Sequence, residues 1–182
     1  MYVKPHVKRG KSDAIDAEAI CEAVTRPTMR FVAIKTVEQQ SLLSLHRTQD
    51  LLVRQRTQLV NGLCGMVAEF AVYIARGLAW IIGCAEDIMA GEVLDLPDIA
   101  NEVIHNMCEH LMAPHARVRL CEDCLKHVAK EDARVRLLRT IPGVGAMTAS
   151  GIIASVGDGY QFRNGREFAT WLGLTPRRMS RA

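Results

Sequence analysis

The sequence predicts a mainly α-helical protein, and three observations carry that prediction. Ala, Leu, Val and Ile dominate a hydrophobic content of 49%, while aromatic residues make up only 5%. A seam of mostly apolar residues repeats at alternating spacings of three and four from Leu42 to Phe70, as one face of a long helix requires. Pro and Gly are concentrated at a few points, which reads as helices punctuated by turns. At 182 residues the chain is long enough for one or two cores. Its 49% hydrophobic content excludes a disordered chain.

The first element reads as a helix over residues 12–24, capped by Ser12 or Asp13, with Ile15, Ala19, Ile20 and Ala23 as its apolar stripe. Arg26 and Pro27 end it, because proline disfavours helical geometry in the residue before it. "RFVAIK", residues 30–35, reads as a short extended or strand segment. A long helix is predicted over 37–74, its seam running through Leu42, Leu45, Gln49, Leu52, Arg56, Leu59, Leu63, Met66 and Phe70. That seam fits either a core helix of a bundle or an intermolecular coiled coil. Residues 75–98, broken by Gly77, Gly83, Gly91 and Pro97, read as a loop with short helical pieces. A helix over 98–112 is expected to stop at Pro114, and another to run over 116–140 with Val118, Leu125, Val128, Val135 and Leu138 buried. A tight turn at Pro142, Gly143, Val144 and Gly145 leads into a helix from Ala146. A last helix is capped by Asn164 and Glu167, stopped by Gly173 and Pro176, and expected to bury Phe168, Trp171 and Leu172.

Net charge is +3, and its distribution is uneven. Lys4, Lys8, Arg9 and Lys11 precede the first acid, and residues 160–182 hold five Arg against one Glu. Basic ends favour a polyanionic partner. No apolar run approaches the roughly 18 residues of a membrane span. The six cysteines and the absence of an apolar N-terminal segment point to reduced thiols in a cytoplasm.

"IPGVGAMTA", residues 141–149, is the strongest local signal. Glycines at 143 and 145 let the backbone turn tightly and approach a ligand, and the amides opening the next helix favour a phosphate. Ile141 and Val144 would hold the two helices together. The pattern is that of a helix-hairpin-helix that grips the DNA backbone through Gly143, Val144, Gly145 and Thr148; an ordinary glycine turn is the alternative. Asp13 and Asp16, three apart on one helix face, could approach a hard cation such as Mg²⁺, or could serve as a cap and a solvated face. Cys121, Cys124 and His127, with His105, Cys108, His110 and His115 upstream, offer zinc-type ligands, but in a helical pattern that favours small core cysteines.

Three blocks, "VKRGKSDAIDAEAICEAVTRPTMRFVAIKT", "QQSLLSLHRTQDLLVRQRTQLVNGL" and "LRTIPGVGAMTASGIIASVGDGYQFRNGREFATWLGLTPRR", together resemble the DEDD transposases of the insertion-sequence one-hundred-and-ten class, the bridge-RNA-guided recombinases. The resemblance implies a RuvC-like (RNase H-fold) domain with four acidic metal ligands, then a coiled coil, then a transposase domain with a helix-hairpin-helix and a nucleophilic serine. The "K-x-D-x-x-D-A" block stands here as Lys11, Asp13, Asp16 and Ala17, which makes Asp13 and Asp16 catalytic ligands of Mg²⁺; Ser180 takes the place of the serine. Lys8, Arg9 and Lys11 are the basic, DNA-facing part of that block. The implied organisation is a C-terminal remnant of the RuvC-like domain over 1–35, coiled-coil and linker helices over 36–135, and a partial C-terminal transposase domain over 136–182. Implied partners are DNA, a non-coding guide RNA and a second copy joined through the coiled coil. Two of the four acids and the residues that follow Ser180 in the family are absent from the sequence. The expectation is therefore a fragment that holds Mg²⁺ weakly, or not at all, and does not transpose by itself; the alternative is a non-catalytic helical protein that binds nucleic acid or a transposase.

Overall fold

The structure is a computed structural model that describes residues 12–27, 34–92 and 94–174. Those residues contain seven helices and no strand: α1 (Asp13–Val24), α2 (Val37–Glu69), α3 (Leu78–Met89), α4 (Asp98–Glu131), α5 (Ala133–Leu138), α6 (Ala146–Val156) and α7 (Gly165–Trp171). The chain divides into two compact units, residues 1–35 and 36–182.

In the first unit, Ser12 caps α1; its Oγ accepts from the Ile15 amide at 3.3 Å. Ala19 and Ala23 are buried and Ile20 is exposed. Most of "RFVAIK" lies outside the described residues; Ile34 and Lys35 are not in a helix.

The second unit is organised by two long antiparallel helices. Gly62 of α2 faces Met107 of α4, and Leu52, earlier in α2, shares a groove with Arg117, later in α4. The heptad seam of α2 is therefore occupied by a helix of the same chain. Leu52 and Leu63 are buried from α2; Ile104, Cys108, Leu111, Val118 and Leu125 are buried from α4. Each fully buried Leu or Ile contributes about 2 kcal/mol. Where α2 ends and α4 begins, α3 closes the pair with Ile81, Ile82, Ala85 and Ile88. At the opposite end, α5 and α6 pack Val135, Ala149 and Ile153 around Ala129.

Four expected boundaries are corrected. α2 stops at Glu69, not at residue 74, because Ala71 takes a left-handed conformation (φ 60). The Val72 amide then bonds the Val67 carbonyl at 3.1 Å and the Ala71 amide bonds Ala68 at 3.0 Å, a Schellman ending. The stretch read as a loop holds α3, a twelve-residue helix. Gly77 and Gly91 bracket it, Gly91 (φ 106) at its own Schellman position; Gly83 inside it costs about 1 kcal/mol, outweighed by the buried isoleucines. Pro114 does not stop a helix but lies buried within α4, where its missing amide forfeits one bond and its ring fills space beside α2. α4 then breaks at Asp132, which caps α5 by accepting from the Arg134 amide at 2.8 Å.

Candidate nucleic-acid interface

The segment joining α5 to α6 is built by three local rules. Leu138 and Val144 pack on the small core around Ala129, which anchors both sides of the turn. The Val144 amide donates to the Ile141 carbonyl at 3.0 Å, closing a four-residue turn with Pro142 second and Gly143 third. Gly143 has φ 84, the left-handed value that a type II turn needs at its third residue. Ile141 was expected to hold the helices together, but its side chain is exposed and its backbone carbonyl does the holding.

Gly145 caps α6 with an extended backbone (φ −82, ψ 174) and no side-chain bond. The first amides of α6 are thus uncapped by any side chain and carry the positive end of the helix dipole. A Cβ added at Gly143 or Gly145 would meet nothing within 4 Å. At Gly145 the backbone angle is ordinary as well, so nothing inside the chain requires glycine there. Thr148, in the first turn of α6, is exposed, and Val144 is half-buried. From residue 133 to 157 there are three cations, Arg134, Arg136 and Arg139, and no acid. All three are exposed; Arg134 is held by Asp132 at 2.7 Å, which lowers the Asp132 pKa.

Asp13 and Asp16 sit in the first turn of α1, both exposed. There they complement the helix dipole. As hard oxygen donors three apart they suit one Mg²⁺ as a partial set, but no group of three or more His, Cys, Asp or Glu among the described residues could hold a metal. Lys8, Arg9, Lys11 and Ser180 lie outside the described residues. The Cys and His residues weighed as zinc ligands are spread along the single helix α4. Cys108 is buried in the core and its thiol is pushed up to about 11, chiefly by burial. His127 faces Glu131 at 3.4 Å. His115 encloses an Nδ1 with no hydrogen-bond partner. Burial lowers its pKa, with Arg56 and Arg119 adding to that against Glu86 and Glu122.

The last helix departs from expectation. Phe168 is half-buried, and Trp171 and Leu172 are exposed. Phe162, Phe168 and Trp171 cluster instead, with ring centroids 5.2 to 6.2 Å apart: Phe168 and Trp171 stack, and Phe162 meets Phe168 edge-on and Trp171 at a tilt. The cap forms as read, Asn164 Oδ1 accepting from the Glu167 amide at 2.9 Å. One contact had no sequence signal: His46 of α2 meets Ser150 of α6, Nε2 to Oγ, at 3.1 Å.

Residues 135–180 match the sequence pattern described as the transposase IS116/IS110/IS902 family. The chain is 43% identical over 180 residues to the "Probable family 20 transposase" of Pseudomonas aeruginosa, covering 98% of this chain and 53% of that protein. It is 38% identical to the "Transposase for insertion sequence element IS1111A" of Coxiella burnetii (98% and 49%). It is 37% identical to the "Transposase for insertion sequence element IS1328" of Yersinia enterocolitica (98% and 53%). The chain thus spans about half the length of the curated relatives it matches. No solved structure gives a significant match. No described helix is long and apolar enough to cross a membrane. Residues 135–180 thus carry the sequence pattern of the IS116/IS110/IS902 transposases, and nearly the whole chain is similar to about half of each of these insertion-sequence transposases.

Proposed function

We propose that this chain is a DNA-engaging portion of an insertion-sequence transposase, and that α5, the turn and α6 form a helix-hairpin-helix that grips the phosphate backbone of duplex DNA. The observation that carries this is the uncapped α6 N-terminus, reached past two glycines whose missing side chains leave open space, within a stretch of arginines without acids. Amides and arginines of this kind bind phosphate oxygens without reading bases. Lys8, Arg9 and Lys11 add a second basic contact. The test is fluorescence anisotropy of the full chain with labelled duplexes of unrelated sequence. Affinity is expected to be similar for all duplexes and to fall at least tenfold between about 50 and 200 mM salt. Binding that ignores salt, or none at low salt, would refute the reading.

The catalytic reading rests on the resemblance. Asp13 and Asp16 would supply two oxygens to a Mg²⁺ site that stabilises charge at a DNA phosphate, and Ser180 would be the nucleophile toward it. Two carboxylates leave such a cation mostly hydrated, so the chain by itself is read as inactive in strand exchange. Turnover of terminus-containing DNA with Mg²⁺ and a cognate guide RNA would contradict that. The 1–35 unit is read as a RuvC-like remnant on the same resemblance. Because α4 fills the seam of α2, a second copy would have to seat elsewhere.

A further inference from the structure

The hairpin is attached to the long helix at one polar point. Ser150 is fully buried, and it is the one polar residue among the buried described residues. A buried hydroxyl must be satisfied. Its Oγ donates to the Met147 carbonyl at 3.1 Å and lies 3.1 Å from His46 Nε2. With the hydroxyl proton given to Met147, Oγ accepts from Nε2–H, and the ring presents a bare Nδ1.

The seat around the imidazole is shaped by small residues. A Cβ added at Gly151 would come within 3.6 Å of the His46 ring, so the ring lies directly on the α6 backbone. Two turns away on both helices, Gln39 approaches the end of α6: a Cβ at Gly157 would fall 2.6 Å from its Nε2. These two contacts show that α6 runs antiparallel to the first part of α2. Of the two, His46 stands nearer the α6 N-terminus.

We propose that His46 is the positioning residue of this interface: by holding Ser150 it sets how the α6 N-terminus and the turn before it are presented, and protonation of its ring, which keeps the Nε2–H donor but brings a charge into the seat, weakens that docking. The proposal rests on the reading of α5 and α6 as the DNA-backbone contact and adds its regulation.

The charge environment supports it. Every residue of α6 is non-titratable, so that helix offers no carboxylate to a protonated ring. On α2 the neighbouring charged residues are Arg47 and Asp50, and Asp50 is engaged with Arg54. On the facing stretch of α4 stand Glu122, Asp123 and Lys126, the last two paired at 2.9 Å. None of these acts on His46; burial alone lowers its pKa below the ordinary histidine value. A proton arriving at Nδ1 therefore brings a charge into a partly buried seat with no counter-ion. The docked state prefers the neutral ring and the released state accepts the proton, so docking weakens as pH falls from about 6.5, the ordinary histidine value.

The experiment uses the full chain at pH 7.5 and 5.5 with two readouts. Amide hydrogen exchange of residues 146–156, corrected for intrinsic rate, reports docking without DNA. Anisotropy with a labelled duplex at constant ionic strength reports the interface. In the wild type, α6 protection and duplex affinity are expected to drop about three- to tenfold at the lower pH, each pKa unit of difference allowing up to tenfold. His46→Gln keeps a neutral N–H donor, so both readouts should lose their pH dependence while staying near the pH 7.5 wild-type level. His46→Phe and Ser150→Ala should show weakened protection at both pH values. Wild-type protection that is flat with pH, or unchanged protection in His46→Phe, would overturn the proposal. If no duplex binds at any pH, the DNA-contact reading fails, and the hydrogen exchange still decides whether His46 holds α6.

Discussion

At the scale of single residues, the two glycines of the turn do different work, and substitution separates them. Gly143 needs its positive φ. Gly143→Ala should cost about 1–2 kcal/mol of stability, because an L side chain is strained in that region. Gly145 has an ordinary backbone and open space at its Cβ position. Gly145→Ala should cost only about 0.5 kcal/mol, the difference between glycine and alanine as a helix cap, yet weaken duplex binding several-fold by placing a methyl group against an approaching phosphate. Urea midpoints and anisotropy on both variants check this; an affinity loss in Gly145→Ala no greater than its stability loss would remove the phosphate contact from that position. The glycine spacing that marks this turn was legible in the sequence because turn chemistry is local. His46 was not legible, because its significance depends on Ser150, 104 positions away, and a lone histidine within a helical pattern carries no signal of its partner.

At the scale of elements, helices were legible wherever apolar periodicity was uninterrupted, and boundaries failed where tertiary packing overruled a local breaker. Pro114 and Gly83 are ordinary stop signals, and both lie inside helices whose neighbouring faces are buried. The reverse happened at Ala71, a good helix former that ends α2. Its left-handed conformation is imposed because the Schellman bonds turn the chain and bring Val72 and Ile74 back onto the core of α2, α3 and α4. Alanine in this position is strained, and glycine is not. Ala71→Gly should therefore stabilise the protein by about 1 kcal/mol, seen as a higher urea midpoint with an unchanged slope. A lower midpoint would mean that α2 continues past Glu69 in solution.

At the scale of the 36–182 unit, the buried residues form two clusters at opposite ends of the α2–α4 pair, joined by Leu52, Val118 and Leu125 along the seam. Two histidines sit on this framework in positions that disfavour charge. His46 lies between α2 and the hairpin, its pKa lowered by burial. His115 lies in the long pair, lowered by burial and then by the positive charges of Arg56 and Arg119. A base whose folded pKa lies below its unfolded value binds more protons when unfolded, so stability rises with pH across that interval. The contribution of these rings is fully present above about pH 7 and is lost as pH falls through the unfolded value near 6.5 toward their lowered folded values. Each contributes at most about 1.4 kcal/mol per pH unit within that interval. The carboxylates act lower. Asp132, held by Arg134, has a lowered pKa, so its contribution is kept above an unfolded value near 4 and lost only below it. Acid destabilisation should therefore proceed in two stages, the first belonging to histidine. Urea midpoints at about pH 7.5, 6.5, 5.5, 4.5 and 3 should fall already between the first three values, and fall again between the last two. His46→Gln and His115→Leu should each remove part of that early slope and leave the later stage unchanged, since neither touches Asp132. Equal midpoints from pH 7.5 to 5.5 in the wild type would show that both rings accept protons freely in the folded chain, and that neither the hairpin seat nor the α2–α4 seam excludes charge.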